Sequence, residues 1–407
     1  MWERIIDHLW DDPWTLVPSS AVCKIRCHFH LITAIDLTDR HRTHWLSRVL
    51  RETPLLRSRV NRVSIHGSFS GSTRQSIPHL TTFASMLSMK LPVVKVFNIV
   101  NVDWRPGAMH ADTFLHLSTF ASITDLHLYD VTFPSKLVLA RLICALPNLL
   151  ELECVNLAFR SKIWDPAVFC STPPQIKAVW LDGPSDDVTD LLALQLGTPA
   201  TAEKFVAGWN LYVEHSPSDV AIMSILQHAG PTLTEVCIWL KQLPGAASEH
   251  EGGISTGEHH QHPMFSLSHC SELRALELNY SLPALLAEGR ALPSPTSALL
   301  YGHISSISST KLNNLEIYMD VRCIDAAGPS YLVELARDFL NRQQCARVDT
   351  LLTGTQFGSL KRVYIGQMCH PEKPSPDCDS WTPTITARFS KLHSRGILHT
   401  AVQVGDH

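Results

Sequence analysis

The sequence reads ITDLHLYDVTF from Ile123 to Phe133 and LLELECVNLAF from Leu149 to Phe159. Apolar residues occupy positions 1, 4, 6, 9 and 11 of both stretches, which begin 26 residues apart. Apolar side chains at positions 4 and 6 predict a short strand with one buried face, because successive side chains of a strand point to opposite faces. Two copies of one pattern at such a distance indicate a repeat architecture.

A helix is predicted between the two copies. Four apolar residues follow the i, i+3, i+4, i+7 spacing of one helix face, namely Leu139, Leu142, Ile143 and Leu146. Pro147 then ends the helix. A helical crossover of this length joins parallel strands, so the predicted unit is strand, turn, helix and strand. Residues 216–230 predict another helix, with a capping-box spacing at its start and Gly-Pro at its end.

The same spacing of apolar residues recurs along the chain. The starts from Val94 through Ile123 and Leu149 to Ile176 are 29, 26 and 27 residues apart, a period typical of leucine-rich repeats. The last four starts are 40, 39 and 48 residues apart, which indicates insertions. We therefore expect an α/β fold: a leucine-rich-repeat-like solenoid, with parallel strands of one continuous curved sheet on the concave face and helices outside. Further copies begin at Val60, Leu233, Leu273, Leu312 and Leu360.

The first thirty residues predict a separate helical segment. Asp12 followed by proline is typical of a helix N-terminus. The spacing of this segment, including Val22-Cys-Lys, resembles the F-box motif. The whole chain looks most like the fungal F-box proteins with divergent leucine-rich repeats. The positions that carry the resemblance are Ile5, Ile6, Leu9, Pro13, Leu16 and Val22.

This resemblance implies a substrate-recognition subunit of an SCF-type ubiquitin ligase, with no enzyme activity of its own. Those six residues would bind the ligase adaptor protein, and the repeat array would bind a target protein. The opening Leu-Pro of the motif would lie before Met1, and Arg26 stands where the motif has a tryptophan. Either the coding start lies upstream or the adaptor is bound weakly. The alternative function is a ligase-independent interaction scaffold with a decayed F-box.

The sequence predicts three consecutive segments. Residues 1–35 form the truncated F-box-like segment, and residues 36–58 form an amphipathic basic linker helix. Residues 59–407 form the irregular repeat array. Within the array, residues 244–263 are rich in Gly, Ser, Glu and His and predict a loop insertion. Residues 389–402 predict a closing helix, which covers the last open core of a repeat array.

Composition excludes several classes of protein. The net charge of −4 argues against binding of nucleic acid, and no apolar run approaches the roughly 18 residues of a membrane span. The eleven cysteines are odd in number and scattered, which predicts reduced thiols and a cytoplasmic or nuclear location. Cys23, Cys27, His28 and His30 crowd into eight residues without a distant second pair, so we expect no zinc site. No catalytic, metal or cofactor motif is recognised.

The target-binding surface is predicted from the same alternation. Positions 4 and 6 of each copy face the core, so positions 3, 5 and 7 face the concave side. Six copies carry acidic and aromatic residues there and no Lys or Arg, which favours a basic, partly apolar segment of a target protein. The alternative is that these acids only keep the surface soluble. The predicted target-binding residues are Asp125, Tyr129, Glu151, Glu153, Trp180, Asp182, Glu235, Trp239, Glu277, Glu316 and Tyr318.

Overall fold

The computed structural model has an α/β fold of parallel strands and helices. The chain divides into two compact units, an N-terminal unit up to Ile176 and a C-terminal unit from Lys177. The predicted loop insertion at 244–263 lies outside the residues that the structure describes. Those residues are 33–67, 74–105, 110, 112–161, 176–183, 186–196, 204–208, 219–240, 265–282, 295–322, 324, 328–373 and 375–404.

The N-terminal unit contains one parallel sheet with the strand order β1-β2-β3-β4-β5, and β6 also pairs with β4. A 3-10 turn at Pro54–Ser58 precedes β2. The strands are β1 (Ala34–Leu37), β2 (Arg62–His66), β3 (Val96–Asp103), β4 (Asp125–Ser135), β5 (Glu151–Val155) and β6 (Ala158–Ser161). The helices are α1 (Arg40–Glu52), α2 (Pro78–Leu87), α3 (Asp112–Leu117) and α4 (Lys136–Cys144).

The C-terminal unit contains a parallel sheet in which β7 to β13 follow one another in chain order. Its strands are β7 (Ala178–Asp182), β8 (Lys204–Gly208), β9 (Glu235–Leu240), β10 (Ala275–Ser281), β11 (Asn314–Asp320), β12 (Arg362–Cys369) and β13 (Leu398–Val404). Its helices are α5 (Asp186–Leu196), α6 (Asp219–Ala229), α7 (Pro295–Ser305), α8 (Pro329–Phe339), α9 (Arg342–Leu352), α10 (Cys378–Thr386) and α11 (Ser390–Ser394).

The predicted strand starts are confirmed within each unit. Each copy begins with a buried residue, and its strand starts two residues later, as β4 does after Ile123 and β5 after Leu149. The amide of Leu149 donates to the carbonyl of Leu146 at 3.1 Å, so a tight turn leads into the strand. Leu126 and Leu152 are paired in register and fully buried. That the strands of the two units form one continuous curved sheet stays a prediction.

A left-handed residue follows the strand core at position 8 of consecutive copies. Asn101, Asp130 and Asn156 have φ values of 57°, 55° and 53°, and Gly183 has 81°. Such backbone is rare except for Gly, Asn and Asp, which explains the residue types at this position. In the N-terminal unit the bend is followed by neighbouring aromatic side chains at position 11. The centroid of the Phe133 ring lies 5.3 Å from the ring centroid of Trp104 and 5.9 Å from the ring centroid of Phe159.

The helices cover the apolar face of each sheet. In the N-terminal unit, Phe83 of α2 stacks on Phe97 of β3 with a centroid distance of 5.6 Å. In the C-terminal unit, the hydroxyl of Tyr280 on β10 lies 3.0 Å from Nδ1 of His303 on α7. The predicted helix after residue 216 is confirmed as α6, whose Ile222, Ile225 and Leu226 are buried. One face of each sheet therefore lies under helices.

Two of the predicted helices differ from the structure. The closing helix expected over 389–402 is wrong, because α11 ends at Ser394, Gly396 adopts a φ of 74° and β13 follows. β13 is rich in β-branched residues and pairs with β12, so sheet pairing overrides the helical pattern. The helix expected over 36–58 is shorter, because residues up to Leu37 belong to β1 and α1 spans only Arg40–Glu52. Trp45, on α1, is 50% exposed.

The expectation that every cysteine is a reduced thiol is wrong for Cys144, which is disulfide-bonded. Cys154 is a free, fully buried thiol on β5, as its core position predicted, and burial raises its pKa. The cytoplasmic or nuclear location stays a prediction. Across the described part of the chain, no helix combines the length and the apolar character needed to cross a membrane.

Candidate functional site

The side of each sheet that faces away from the helices carries polar and aromatic side chains. We call it the polar face, and it consists of positions 3, 5 and 7 of the repeated pattern. In the N-terminal unit, alternation along β4 and β5 places the predicted residues Asp125, Tyr129, Glu151 and Glu153 there, all half-buried. In the C-terminal unit it carries Trp180 and Asp182 of β7, Glu235 and Trp239 of β9, Glu277 of β10, and Glu316 and Tyr318 of β11.

A hydrogen-bonded cluster lies on the polar face of the N-terminal unit. The hydroxyl of Tyr129 donates to Oε2 of Glu153 at 2.7 Å, and Nδ1 of His127 lies 3.4 Å from the same oxygen. The side chains of His127 and Glu153 are 24% and 28% exposed, so solvent reaches both. Burial, then the bond to Glu153, raise the pKa of Tyr129, which keeps its proton as a donor. This arrangement fixes the Glu153 carboxylate in place.

The C-terminal unit places two carboxylates side by side. Glu277 and Glu316 are directly paired in register on β10 and β11. Nδ2 of Asn279 donates to Oε1 of Glu277 at 2.8 Å, and Nδ2 of Asn314 donates to Oε1 of Glu316 at 2.9 Å. The hydroxyl of Tyr318 donates to Oε2 of Glu316 at 2.7 Å. Three neutral donors therefore hold the two carboxylates in place on the surface of the sheet.

Two aromatic rings lie on one side of this carboxylate pair, toward β12. The rings of Tyr318 and Tyr364 lie 5.2 Å apart on β11 and β12. A Cβ atom on Gly366 would come within 2.8 Å of the Tyr318 ring, so glycine gives that ring its space. Tyr318 is only 6% exposed, so it supports the surface and offers little area for contact. Burial, then the bond to Glu316, raise the pKa of Tyr318, which remains a neutral donor.

A guanidinium already lies on the same face. Arg322 binds both carboxylate oxygens of Asp320, at 2.9 Å and 2.7 Å, and its guanidinium carbon lies 5.5 Å from the centre of a Trp239 ring. Arg362 similarly lies 5.4 Å from the Tyr364 ring. Cations over aromatic rings beside carboxylates are a recurrent mode of recognition. The polar face of the C-terminal unit therefore has the chemistry to accommodate cations.

The expectation of a face without Lys or Arg needs one correction. Arg62 of β2 and Arg362 of β12 occupy position 3 in copies outside the six that suggested it, and both are exposed. Reading the last copy with the same alternation would have found Arg362 and Tyr364. The contacts of Asn279 and Asn314 had no sequence signal, because an amide at an alternating position does not reveal its partner.

The described residues offer no other chemistry that singles out a site. Among them, no group of three or more His, Cys, Asp or Glu side chains could hold a metal ion. The predicted adaptor-binding residues Ile5, Ile6, Leu9, Pro13, Leu16 and Val22 lie outside the described part of the chain. No family model matches the sequence, and no curated protein is significantly similar to it.

Proposed function

We propose that this protein is a substrate-recognition subunit of an SCF-type ubiquitin ligase and binds its target protein on the polar face. In this proposal the repeats form a leucine-rich-repeat-like solenoid with the strands on its concave side. The observation that carries the proposal is the alternation of buried apolar residues with half-buried acids and aromatic residues on parallel strands.

Physical arguments support this surface as a place for protein binding. Half-buried carboxylates such as Glu151 and Glu153 sit on a rigid sheet, so a target meets a preorganised surface and little side-chain entropy is lost. Trp239 is half-buried and gives an aromatic anchor, a residue type enriched at the centres of protein interfaces. Most of the charge on these strands is negative, which favours a basic segment of the target.

The experiment that tests the proposal is a pull-down of purified adaptor with the full chain. A second form carries Leu-Pro restored before Met1, and a third carries Ile6→Asp and Leu9→Asp. We expect the adaptor to bind the first two forms, more tightly when Leu-Pro is restored, and not to bind the third. Adaptor binding that is absent from all three forms would contradict the ligase assignment.

The ligase-independent scaffold remains the alternative, because Arg26 stands where the motif has a tryptophan. It predicts target capture without the adaptor. Co-purification of cell proteins with the full chain, in the presence and absence of Ile6→Asp and Leu9→Asp, separates the two functions. A scaffold keeps its captured proteins and gains no ubiquitin-ligase subunits in either form.

A further inference from the structure

We propose that two copies of this chain associate through β13, whose outer edge pairs in antiparallel fashion with the same edge of the second copy. The pairing joins two C-terminal sheets across a two-fold axis that passes beside Ala401. A dimer of this kind goes beyond the proposed function and requires neither the target nor the adaptor.

The outer edge of β13 is open. β13 follows β12 in the strand order and is the last strand of that sheet within the described residues. The amide of Val363 donates to the carbonyl of Ile397 at 2.8 Å, so the backbone groups of Ile397 point toward β12. Because backbone groups alternate in direction along a strand, those of four β13 residues point away from β12. These outward residues are Leu398, Thr400, Val402 and Val404.

The open edge lacks the features that usually prevent pairing with another chain. β13 has seven residues and contains no proline and no Asp, Glu, Lys or Arg. The first strand of the N-terminal sheet differs, since β1 has four residues and the side chain of Asp36 is 66% exposed. Short edge strands and edge charges prevent sheets from associating, whereas long uncharged edges act as templates for another strand. β13 is therefore an edge suited to receive a strand.

A second copy of β13 matches this edge in the register that pairs all seven residues. Ala401 then lies opposite Ala401 of the second copy. Leu398 lies opposite Val404, and each outward residue meets another outward residue. Thr400 likewise meets Val402. Their amides and carbonyls form the hydrogen-bonded pairs of an antiparallel ladder, while the small side chain at Ala401 suits the closer approach of a pair without hydrogen bonds.

The side chains of β13 favour a second copy over a strand of the target. Val404 is 52% exposed, and in this register it lies beside the half-buried Leu398 of the second copy. On the other face His399 lies opposite Gln403, so no carboxylate and no Lys or Arg meets its own kind. A basic segment of a target would find no carboxylate on β13. The partner that complements an uncharged, partly apolar edge is the same edge.

Sedimentation velocity of the full chain measures this association. Strand pairing buries less surface than a standard interface of roughly 1,600 Å², so we expect a weak dimer and extend the measurements to about 100 μM. Ala401→Lys and Ala401→Glu each place two like charges opposite one another at the two-fold axis. We expect each to raise the Kd of the dimer by about tenfold or more. An equal mixture of the two variants places Lys opposite Glu and should restore the dimer.

Ala34→Lys is the matched control, because it makes the same change at an exposed alanine on β1 and should dimerise like the unmodified chain. An unmodified chain that stays monomeric over the whole concentration range would overturn the proposal and leave the edge to a strand of another protein. Equal dimerisation of Ala401→Lys and the unmodified chain would place the interface elsewhere. A mixture of Ala401→Lys and Ala401→Glu that stays monomeric would contradict the register.

Val402→Pro tests the backbone pairing separately. The N–H that it removes points away from β12, so the sheet of one copy keeps its hydrogen bonds while the dimer loses one donor from each strand. We expect weaker dimerisation and, at concentrations where the chain is monomeric, a melting temperature close to that of the unmodified chain. Unchanged dimerisation would contradict the edge pairing. These outcomes are separate from those of the adaptor pull-down, so the dimer and the ligase function can fail independently.

Discussion

Replacing Leu152 by alanine tests whether the repeated strands share one core. Leu152 is fully buried on β5 and pairs in register with the equally buried Leu126 on β4. The substitution removes three carbon atoms, which at about 0.8 kcal/mol each lowers the free energy of unfolding by about 2.4 kcal/mol. The cavity left in a packed interior adds to this cost, so we expect about 3–4 kcal/mol in total.

Hydrogen exchange followed by mass spectrometry measures this cost where it arises. A loss of about 3–4 kcal/mol should speed exchange through global opening of the N-terminal unit by roughly a few hundred-fold, since each 1.4 kcal/mol is about tenfold. The faster exchange should include the peptides of β3, β4 and β5, because a shared core opens together.

Leu115→Ala is the matched control, because Leu115 on α3 is 67% exposed and its truncation leaves no cavity. We expect it to change the free energy of unfolding by less than about 0.5 kcal/mol. Equal effects of the two substitutions, or faster exchange confined to β5 alone, would refute the repeat register and the shared core.

The remaining predictions concern the backbone bend and a buried histidine. Asn156 has a φ of 53°, so a urea titration should show that Asn156→Val lowers the free energy of unfolding by about 1–2 kcal/mol. Asn156→Gly should leave the free energy of unfolding close to that of the unmodified chain. A larger loss for Asn156→Gly than for Asn156→Val would contradict the left-handed bend. His303 is 2% exposed, and burial lowers its pKa to about 3. Below pH 6.5 His303 is protonated in the unfolded chain but stays neutral in the folded chain. The free energy of unfolding therefore falls as pH falls from 6.5 toward 3, by up to about 1.4 kcal/mol per pH unit. Urea titrations between pH 7 and pH 4 should show this extra loss relative to His303→Gln, and parallel pH profiles would contradict it.

Much of the fold could be predicted because its pattern is local. The alternation around Leu126 and Leu152 determines which side chains enter the core, and the spacing of the copies places the strands. The end of the chain could not be predicted in the same way. Residues 389–402 have a helical spacing of apolar residues, but Gly396 and pairing with β12 produce a turn and a strand instead. Pairing with a neighbour depends on residues far away in the sequence.

The candidate site could be predicted only as a surface. Alternation placed Glu277 and Glu316 on the polar face. Their direct pairing, however, depends on the register between β10 and β11, whose first residues, Ala275 and Asn314, are 39 residues apart in the sequence. The role of Tyr318 also differs from the expectation of a target-binding residue, because the absence of a side chain at Gly366 leaves room for its ring to be buried. Such contacts follow from three-dimensional packing and have no periodic signal.

The central claim is that the polar face captures the target, and the most direct measurement is quantitative co-purification of cell proteins with charge-reversed chains. The variant Glu151→Lys with Glu153→Lys reverses the face, while Glu52→Lys with Asp112→Lys reverses two exposed acids elsewhere in the N-terminal unit.

We predict that proteins captured by the unmodified chain are lost from the Glu151→Lys and Glu153→Lys variant and retained by the Glu52→Lys and Asp112→Lys control. Their capture should also weaken as salt rises, because exposed charges are screened. Capture that is independent of salt and unchanged by reversal of Glu151 and Glu153 would contradict the polar face as the recognition surface.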